Sequence, residues 1–414
     1  MSFQQGLSGL SSSSKTLDAI GNNIANSATV GFKSASARFA DVYANSLAGG
    51  GGGTQTGIGV KVTEVAQQFN QGNITASANP LDMAINGGGF FRMNHLGTIT
   101  YARNGQFQLN KDGYLVNPNG DRLTGYIANS LGQVSTGSPA DLLISAVDLP
   151  PSQTTGVLAQ LNLDSRSVPP VTSPFDPADP TTYNNATSIT VFDSLGNSHV
   201  LQTYYVNTAP GAWDIYGTYD DGSATVPTAP AVIGSLTFSP TGAISSPVPP
   251  LPATFSTDLV LTTGATTPMT VDVNWTGTTQ FGSTFSVNAL SQDGYTSGRL
   301  AGFTTASDGT ISGSYTNGQT AVLGQVVLAN FRNPNGLLPN GNNTWSESNT
   351  SGAPLVGVPG TGSLGILQAA ATEDSNVDLT AELVNMITAQ RVYQANAQTI
   401  KTQDQILQTL VNLR

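Results

Sequence analysis

The chain has 414 residues, of which only 9% are charged, with a formal net charge of −11, 14 Lys and Arg in all and no cysteine. A length of this order divides into roughly two to four domains, the scattered basic residues exclude a phosphate-binding face for nucleic acid, and the lack of thiols excludes disulfide scaffolds, thiolate metal sites and cysteine nucleophiles. Gly, Ser, Thr, Asn and Gln stand where an ordinary soluble protein has roughly 25% charged residues, so many copies can pack side by side with little ionic repulsion or desolvation.

The amino terminus, MSFQQGLSGLSSSSKTLDAIG, lacks a basic start before an unbroken apolar core, and so does not read as a Sec-type signal peptide. No apolar run reaches the ~20 residues that span a bilayer, so no membrane insertion is expected. Phe3, Leu7, Leu10, Ser14, Leu17, Gly21 and Ile24 alternate spacings of four and three, which aligns them on one stripe of a helix weakened at Ser14 and Gly21. Asn22, Asn23 and Asn26 then supply the side chains that end a helix and turn the chain.

Gly49 to Gly53 form a flexible connection to the run Ile58 to Val62. Beyond it, strand and turn signals dominate. Gly87-Gly88-Gly89 has neither a following Lys-Ser nor dinucleotide-loop spacing, and reads as a turn feeding the buried aromatic pair Phe90-Phe91. Asp112-Gly113, Asn119-Gly120, Asp293-Gly294 and Asp308-Gly309 read as hairpin turns between short alternating runs. Proline breaks at Pro150-Pro151, Pro169-Pro170 and Pro247 to Pro252 mark off a β domain between about 147 and 288, with strands at Ile189 to Phe192, Val200 to Val206 and Leu236 to Phe238 and a turn at Pro240 to Gly242.

At the other end Leu379, Leu383, Met386, Gln390, Tyr393, Ala397, Ile400, Asp404, Leu407 and Val411 repeat the four-three alternation. The pattern predicts a helix from about 376 to 412, with Ser375 as N-cap and Asp378 as a first-turn acid. Gln390, Tyr393, Gln394 and Asn396 fall along this seam and read as contact residues. An isolated amphipathic helix forgoes roughly 1.5–3 kcal/mol for each Leu or Ile it leaves uncovered, so each terminal helix needs a partner, either the other helix or a second copy.

The fold class expected is therefore multidomain α+β: terminal helices forming a coiled-coil-like inner domain, with β-rich outer domains nested between them. The expected divisions are 1–30 with 370–414, a connecting segment of 31–72 with 360–369, a discontinuous β domain of 73–146 with 289–359, and an inserted outer β domain of 147–288. No catalytic constellation stands out. His95 and His199 lack metal-ligand spacing, and Asp82, Asp112, Asp293 and Asp308 are better explained by turn chemistry than as a carboxylate pair. No enzymatic activity, cofactor or metal is expected.

Three segments carry a family resemblance. NNIANSATVGFK, containing Asn22, Asn23, Ile24, Ala25, Asn26, Gly31, Phe32 and Lys33, resembles the axial motif of flagellar rod, hook and junction proteins. LDMAINGGGFFRM, from Leu81, and YARNGQFQLNKDGYLVNPNGDRLTGY, from Tyr101, resemble that family's first β domain, while Leu383 to Arg414 is similar to the last helix of flagellar hook proteins in particular. The resemblance implies a subunit of a short curved tube, a universal joint that passes motor torque to the filament. It also implies self-association with packing along Phe3, Leu7, Leu10, Leu17, Ile24, Leu379, Leu383, Met386, Tyr393, Ile400, Leu407 and Val411. The partners it implies are a distal rod protein, a hook-filament junction protein, a hook cap and the flagellar type III export apparatus, which would carry the chain out unfolded. Terminal helices that order only on assembly would suit that route. A distal rod or junction protein is the near alternative, which the long insert disfavours. A secreted β-rich adhesin is the distant one, and would not need seams at both ends.

Overall fold

The structure is a computed structural model, and it describes residues 2–42, 57–129, 132–135, 137–144, 148–220, 231–247 and 253–412. The glycine run Gly49 to Gly53 and most of the proline run Pro247 to Pro252 lie outside the described residues. The chain divides into two compact units: unit 1 is Met1–Ala146, Gly302–Ser314 and Thr320–Arg414, and unit 2 is Val147–Ala301 with Tyr315–Gln319.

Unit 1 holds both terminal helices, α1 (Ser2–Ala25) and α2 (Leu379–Asn412). Next to α1 in sequence, β1 (Ala35–Val42) and β2 (Gly59–Gln67) pair antiparallel. β3 (Ile74–Ala76) and β4 (Met83–Asn86) each take a partner from the far end of the chain: β3 pairs with Ala371–Glu373 and β4 with Ile366–Ala369. A thirteen-stranded sheet fills the rest. Its core is aromatic because Phe90 and Phe91 point to opposite faces of one strand and both are covered. Phe90 meets Phe69, Phe331 and Trp345, and Phe91 meets the edge of Phe107 at 5.1 Å.

Unit 2 is a sandwich of two five-stranded sheets. One is an antiparallel meander of Asn185–Phe192, Ser198–Ala209, Ala212–Tyr219, Ala231–Phe238 and Ile244–Ser246. The other is centred on Gly156–Asp164 and includes Thr254–Leu259 and Met269–Asn274. Alternation along Ala212–Tyr219 turns Trp213 and Ile215 inward to meet Leu161, Leu163, Val271 and Trp275 from the second sheet. The buried Trp275 indole donates to Tyr205 Oη at 3.2 Å.

Two details of the sequence reading need correction. Helix α2 begins three residues later than predicted, and its N-cap is Asp378, whose Oδ1 accepts from the Thr380 and Ala381 amides at 2.9 and 3.1 Å. The residues before it stay extended because the Asn376 carboxamide donates to the Gln68 and Asn70 carbonyls and accepts from the Ser34 amide. Asp293-Gly294 is not a hairpin turn. The Asp293 carboxylate instead accepts from the Thr155 and Gly156 amides, fastening Gly156–Asp164 at its start. The glycines of the other three pairs, Gly113, Gly120 and Gly309, take the positive φ that tight turns require.

Candidate assembly interface

α1 and α2 run antiparallel and approach closely because small residues line their contact. A methyl group added at Gly6 would come 3.0 Å from Ile400 Cγ1, and one at Gly9 2.8 Å from Asn396 Oδ1. On α1 the covered line is Gly6, Ser13, Ile20 and Asn23, and on α2 it centres on Ala389. Several hydroxyls on α1 turn back onto their own helix, Ser13 Oγ donating to the Gly9 carbonyl at 2.8 Å and Thr16 Oγ1 to that of Ser12 at 3.0 Å. This contact holds few large apolar side chains.

Most of the apolar stripe read from the sequence lies on another line, although Ile400 itself stands against Gly6. Phe3, Leu7, Leu379, Leu383, Tyr393, Leu407 and Val411 are exposed, Leu7 at 52% and Val411 at 74%. Leu10, Leu17, Ile24, Met386 and Ile400 are half-buried. Val384, Ile387 and Ile406, which widen the stripe, are exposed as well. Of the polar residues expected at the seam, Asn396 touches α1 as described, whereas Gln390, Tyr393 and Gln394 face solvent. A groove of about 480 Å³ runs between the helices and β1, lined by Ser12, Ile20, Phe39, Asn385 and Val392 among others.

The axial motif residues tie the chain ends together. Asn26 Nδ2 donates to Asn22 Oδ1 and to its carbonyl, both at 3.0 Å, closing the end of α1 next to Ala25. Asn23 reaches further: its Nδ2 donates to the Ala35 carbonyl at 2.9 Å and to Glu382 Oε1 on α2 at 3.0 Å, while its Oδ1 accepts from the Ala35 amide at 2.8 Å. Gly31 sits at φ 70° with its amide donating to the Glu373 carbonyl at 2.7 Å, and the Asn104 amide nitrogen would lie 2.5 Å from any Cβ there. Phe32 is buried beside it.

Lys33 enters a charged knot. Its Nζ lies 2.7 Å from Glu373 Oε1 and donates to the Asn70 carbonyl at 2.8 Å, and Arg103 Nη1 lies 3.0 Å from Glu373 Oε2. Arg103 also donates to the Ile85 and Gly87 carbonyls, which secures the turn before Phe90. Burial pulls Lys33 below the ordinary lysine range against the opposing pull of the Glu373 carboxylate. Sequence reading singled out Lys33 but missed Arg103, Glu373, Asn376 and Glu382, because their partners lie hundreds of positions away and no local spacing marks them.

Buried polar ties hold the two ends of the chain together, and apolar rows on both terminal helices are left uncovered. Sequence comparison shows the family. Residues 3–33 match the flagella basal body rod protein family, 84–158 the flagellar hook protein FlgE/F/G D1 domain, 162–295 the flagellar basal body protein FlaE D2 domain, and 368–413 the flagellar basal body rod FlgEFG protein C-terminal family. The chain is 42% identical to the flagellar hook proteins FlgE of Salmonella typhimurium and Escherichia coli, covering 100% of each sequence in both alignments. It is 32% identical to that of Borreliella burgdorferi, over 100% of this chain and 99% of the relative. The crystal structure of Helicobacter pylori flagellar hook protein FlgE2 superposes with a TM-score of 0.51 at 13% identity, over 71% of this chain and 99% of that one, a likeness of fold.

The chain belongs to the flagellar hook protein family, and it is a structural subunit of the flagellar hook.

Proposed function

We propose that α1 and α2 build the inner wall of a helical homopolymer, with Phe3, Leu7, Leu10, Leu17, Ile24, Leu379, Leu383, Met386, Tyr393, Ile400, Leu407 and Val411 packing between copies. In this reading 1–30 with 370–414 is the helical inner-tube domain, 31–72 with 360–369 connects it outward, and the β-rich parts form outer layers, a discontinuous domain of 73–146 with 289–359 and an inserted outer domain of 147–288. As a bent tube turns, each outer contact passes through several geometries of nearly equal energy. A surface with few charges meets that demand better than fixed ion pairs do. The role is mechanical, not enzymatic. Its partners are other copies of the chain, a distal rod protein, a hook-filament junction protein and a hook cap, and it reaches the cell exterior through the flagellar export apparatus.

The observation that carries this reading is the uncovered apolar row on helices whose contact with each other is made largely of small and polar groups. Negative-stain electron microscopy of the concentrated full chain should show curved tubes. A Leu383→Asp/Ile387→Asp variant should show none, with its near-ultraviolet circular dichroism unchanged. Tubes formed equally well by the variant would refute the assignment of the seam, and straight tubes from the parent chain would favour a rod-like role. Helix content should rise on assembly, since the α1–α2 contact alone buries little apolar area.

A further inference from the structure

The two terminal helices are unequal in length. Gly6 stands against Ile400, Gly9 against Asn396 and Asn23 against Glu382, so the start of α1 lies level with about residue 404 of α2. Residues 405–412, the last two turns of α2, run on past it, a projection of roughly 12 Å at 1.5 Å per residue. These turns carry Ile406, Leu407 and Val411, all exposed. They hold no charged residue, and the Asp404 carboxylate just before them accepts from Gln408 Nε2 at 3.0 Å.

Toward the other end of the same pair lies the groove between α1, α2 and β1. Ile20 lines it from α1, Ala389 and Val392 from α2 and Phe39 from β1, and both Phe39 and Val392 are open to solvent. Its single charged lining residue, Glu382, accepts from Asn23 Nδ2 at 3.0 Å. The volume of about 480 Å³ falls within the roughly 300–1,000 Å³ of sites that enclose a ligand.

A short apolar helix end and an apolar groove are the two halves of a helix-in-groove contact, whose anchors recur at spacings of three and four residues, as Leu407 and Val411 do. The two halves cannot meet within one chain. Val392 and Leu407 stand fifteen positions apart on α2, and a helix holds that separation at roughly 22 Å. The start of α1 is a poorer occupant, because it is fastened to the hairpin beside it. Gln5 Nε2 donates to the Gly57 carbonyl at 2.6 Å, and Ser8 Oγ accepts from the Val60 amide at 3.3 Å.

We propose that the projecting end of α2 seats in the groove of a second copy of the chain, with Leu407 and Val411 against Phe39 and Val392. The inference rests on the assembly reading above and specifies one of its contacts. The two surfaces are different patches, so the contact is head-to-tail: every copy offers one free end and one free groove, and the series stays open. Repeated with a fixed rotation, such a step generates a helical polymer, whereas a self-complementary patch stops at two. Because Asp404 and Glu382 each have a hydrogen-bond donor in their own chain, the contact leaves neither carboxylate without a partner.

The chain has no cysteine, so introduced thiols report without background. A disulfide needs Cα atoms about 4.4–6.8 Å apart, which Leu407→Cys and Val392→Cys cannot reach within one molecule. Both positions are exposed, and the substitutions leave the fold in place. The full chain carrying both, concentrated and mildly oxidised, should give a ladder of covalent multimers on a non-reducing denaturing gel. Its yield should be about tenfold above that of either single variant, because docking holds the two thiols together. An equal mixture of the two single variants should stop at dimers, and Leu7→Cys mixed with Val392→Cys should stay monomeric. Tubes seen by electron microscopy while the first mixture stays monomeric would overturn the docking and leave the assembly reading standing. Capture of Val392→Cys by Leu7→Cys in place of Leu407→Cys would give the groove to α1 and overturn it as well. A ladder without tubes would uphold the docking and count against the curved-tube role, and the absence of both would remove both.

Discussion

Lys33 Nζ sits 2.7 Å from Glu373 Oε1 although 340 positions separate the two residues, and neither side chain is open to solvent. With Arg103 on the other carboxylate oxygen, one acid balances two buried cations. Glu373→Gln would leave both cations uncompensated, at a cost of about 3–5 kcal/mol. Calorimetry of the full chain should show the transition of unit 1 moving to lower temperature while that of unit 2 stays in place.

Gly31 offers a second test of the same junction. Its left-handed φ and the backbone of Asn104 at 2.5 Å leave no room for a methyl group. Gly31→Ala should therefore cost about 1–3 kcal/mol from backbone conformation alone, and more from the clash. Because the neighbouring backbone is what blocks the site, the segment carrying Asn104 must shift, and proteolysis should cut faster around residues 26–34.

Asn23→Ala removes three hydrogen bonds, two to Ala35 and one to Glu382, from a buried position. A loss of about 1–3 kcal/mol is expected, and it should act on the attachment of the helices and leave the β body intact. Far-ultraviolet circular dichroism of the monomer should lose helix signal at lower urea than in the parent chain, with the tryptophan transition unmoved. Simultaneous loss of both signals would contradict this placement.

Asp193 is one of the carboxyls, with Asp164, Asp179 and Asp293, that make unit 2 sensitive to acid. Burial raises its carboxyl, but hydrogen bonds from Asn197 and Thr263 outweigh it and hold the group below the ordinary range in the folded chain, so it binds protons less readily there than in the unfolded chain. Its contribution is complete above the unfolded value of about 3.9 and is lost as pH falls through the folded one. Asp193→Asn should lower stability near neutrality by about 1–3 kcal/mol and flatten the acid limb below about pH 4, as measured by urea midpoints across pH.

The architecture was legible wherever the signal is local. Phe90-Phe91 after three glycines, the positive-φ glycines at 113, 120 and 309, and the span of α1 all follow from neighbours in sequence. The stripe on the terminal helices was legible too, but periodicity reports that a face is apolar, not what covers it. In the folded chain Gly6, Gly9 and Ser13 take the intramolecular contact, since only small residues let two helices come so close, and Leu7 and Leu383 remain outside. Glu373 and Arg103 were invisible because a buried ion pair has no sequence period.

The pairing of β3 with Ala371–Glu373 also governs when the chain can fold. Ile74 and Glu373 are partners across 373 − 74 = 299 positions, and closing a flexible loop of that size costs roughly 5 kcal/mol in chain entropy. Such distant contacts form late. A chain delivered amino terminus first holds β3 and β4 with open edges, and Lys33 without its acid, until nearly the last tenth of its length has arrived. Ala371–Glu373 therefore acts as a clock as well as a strand, deferring closure of unit 1 until that late segment is present.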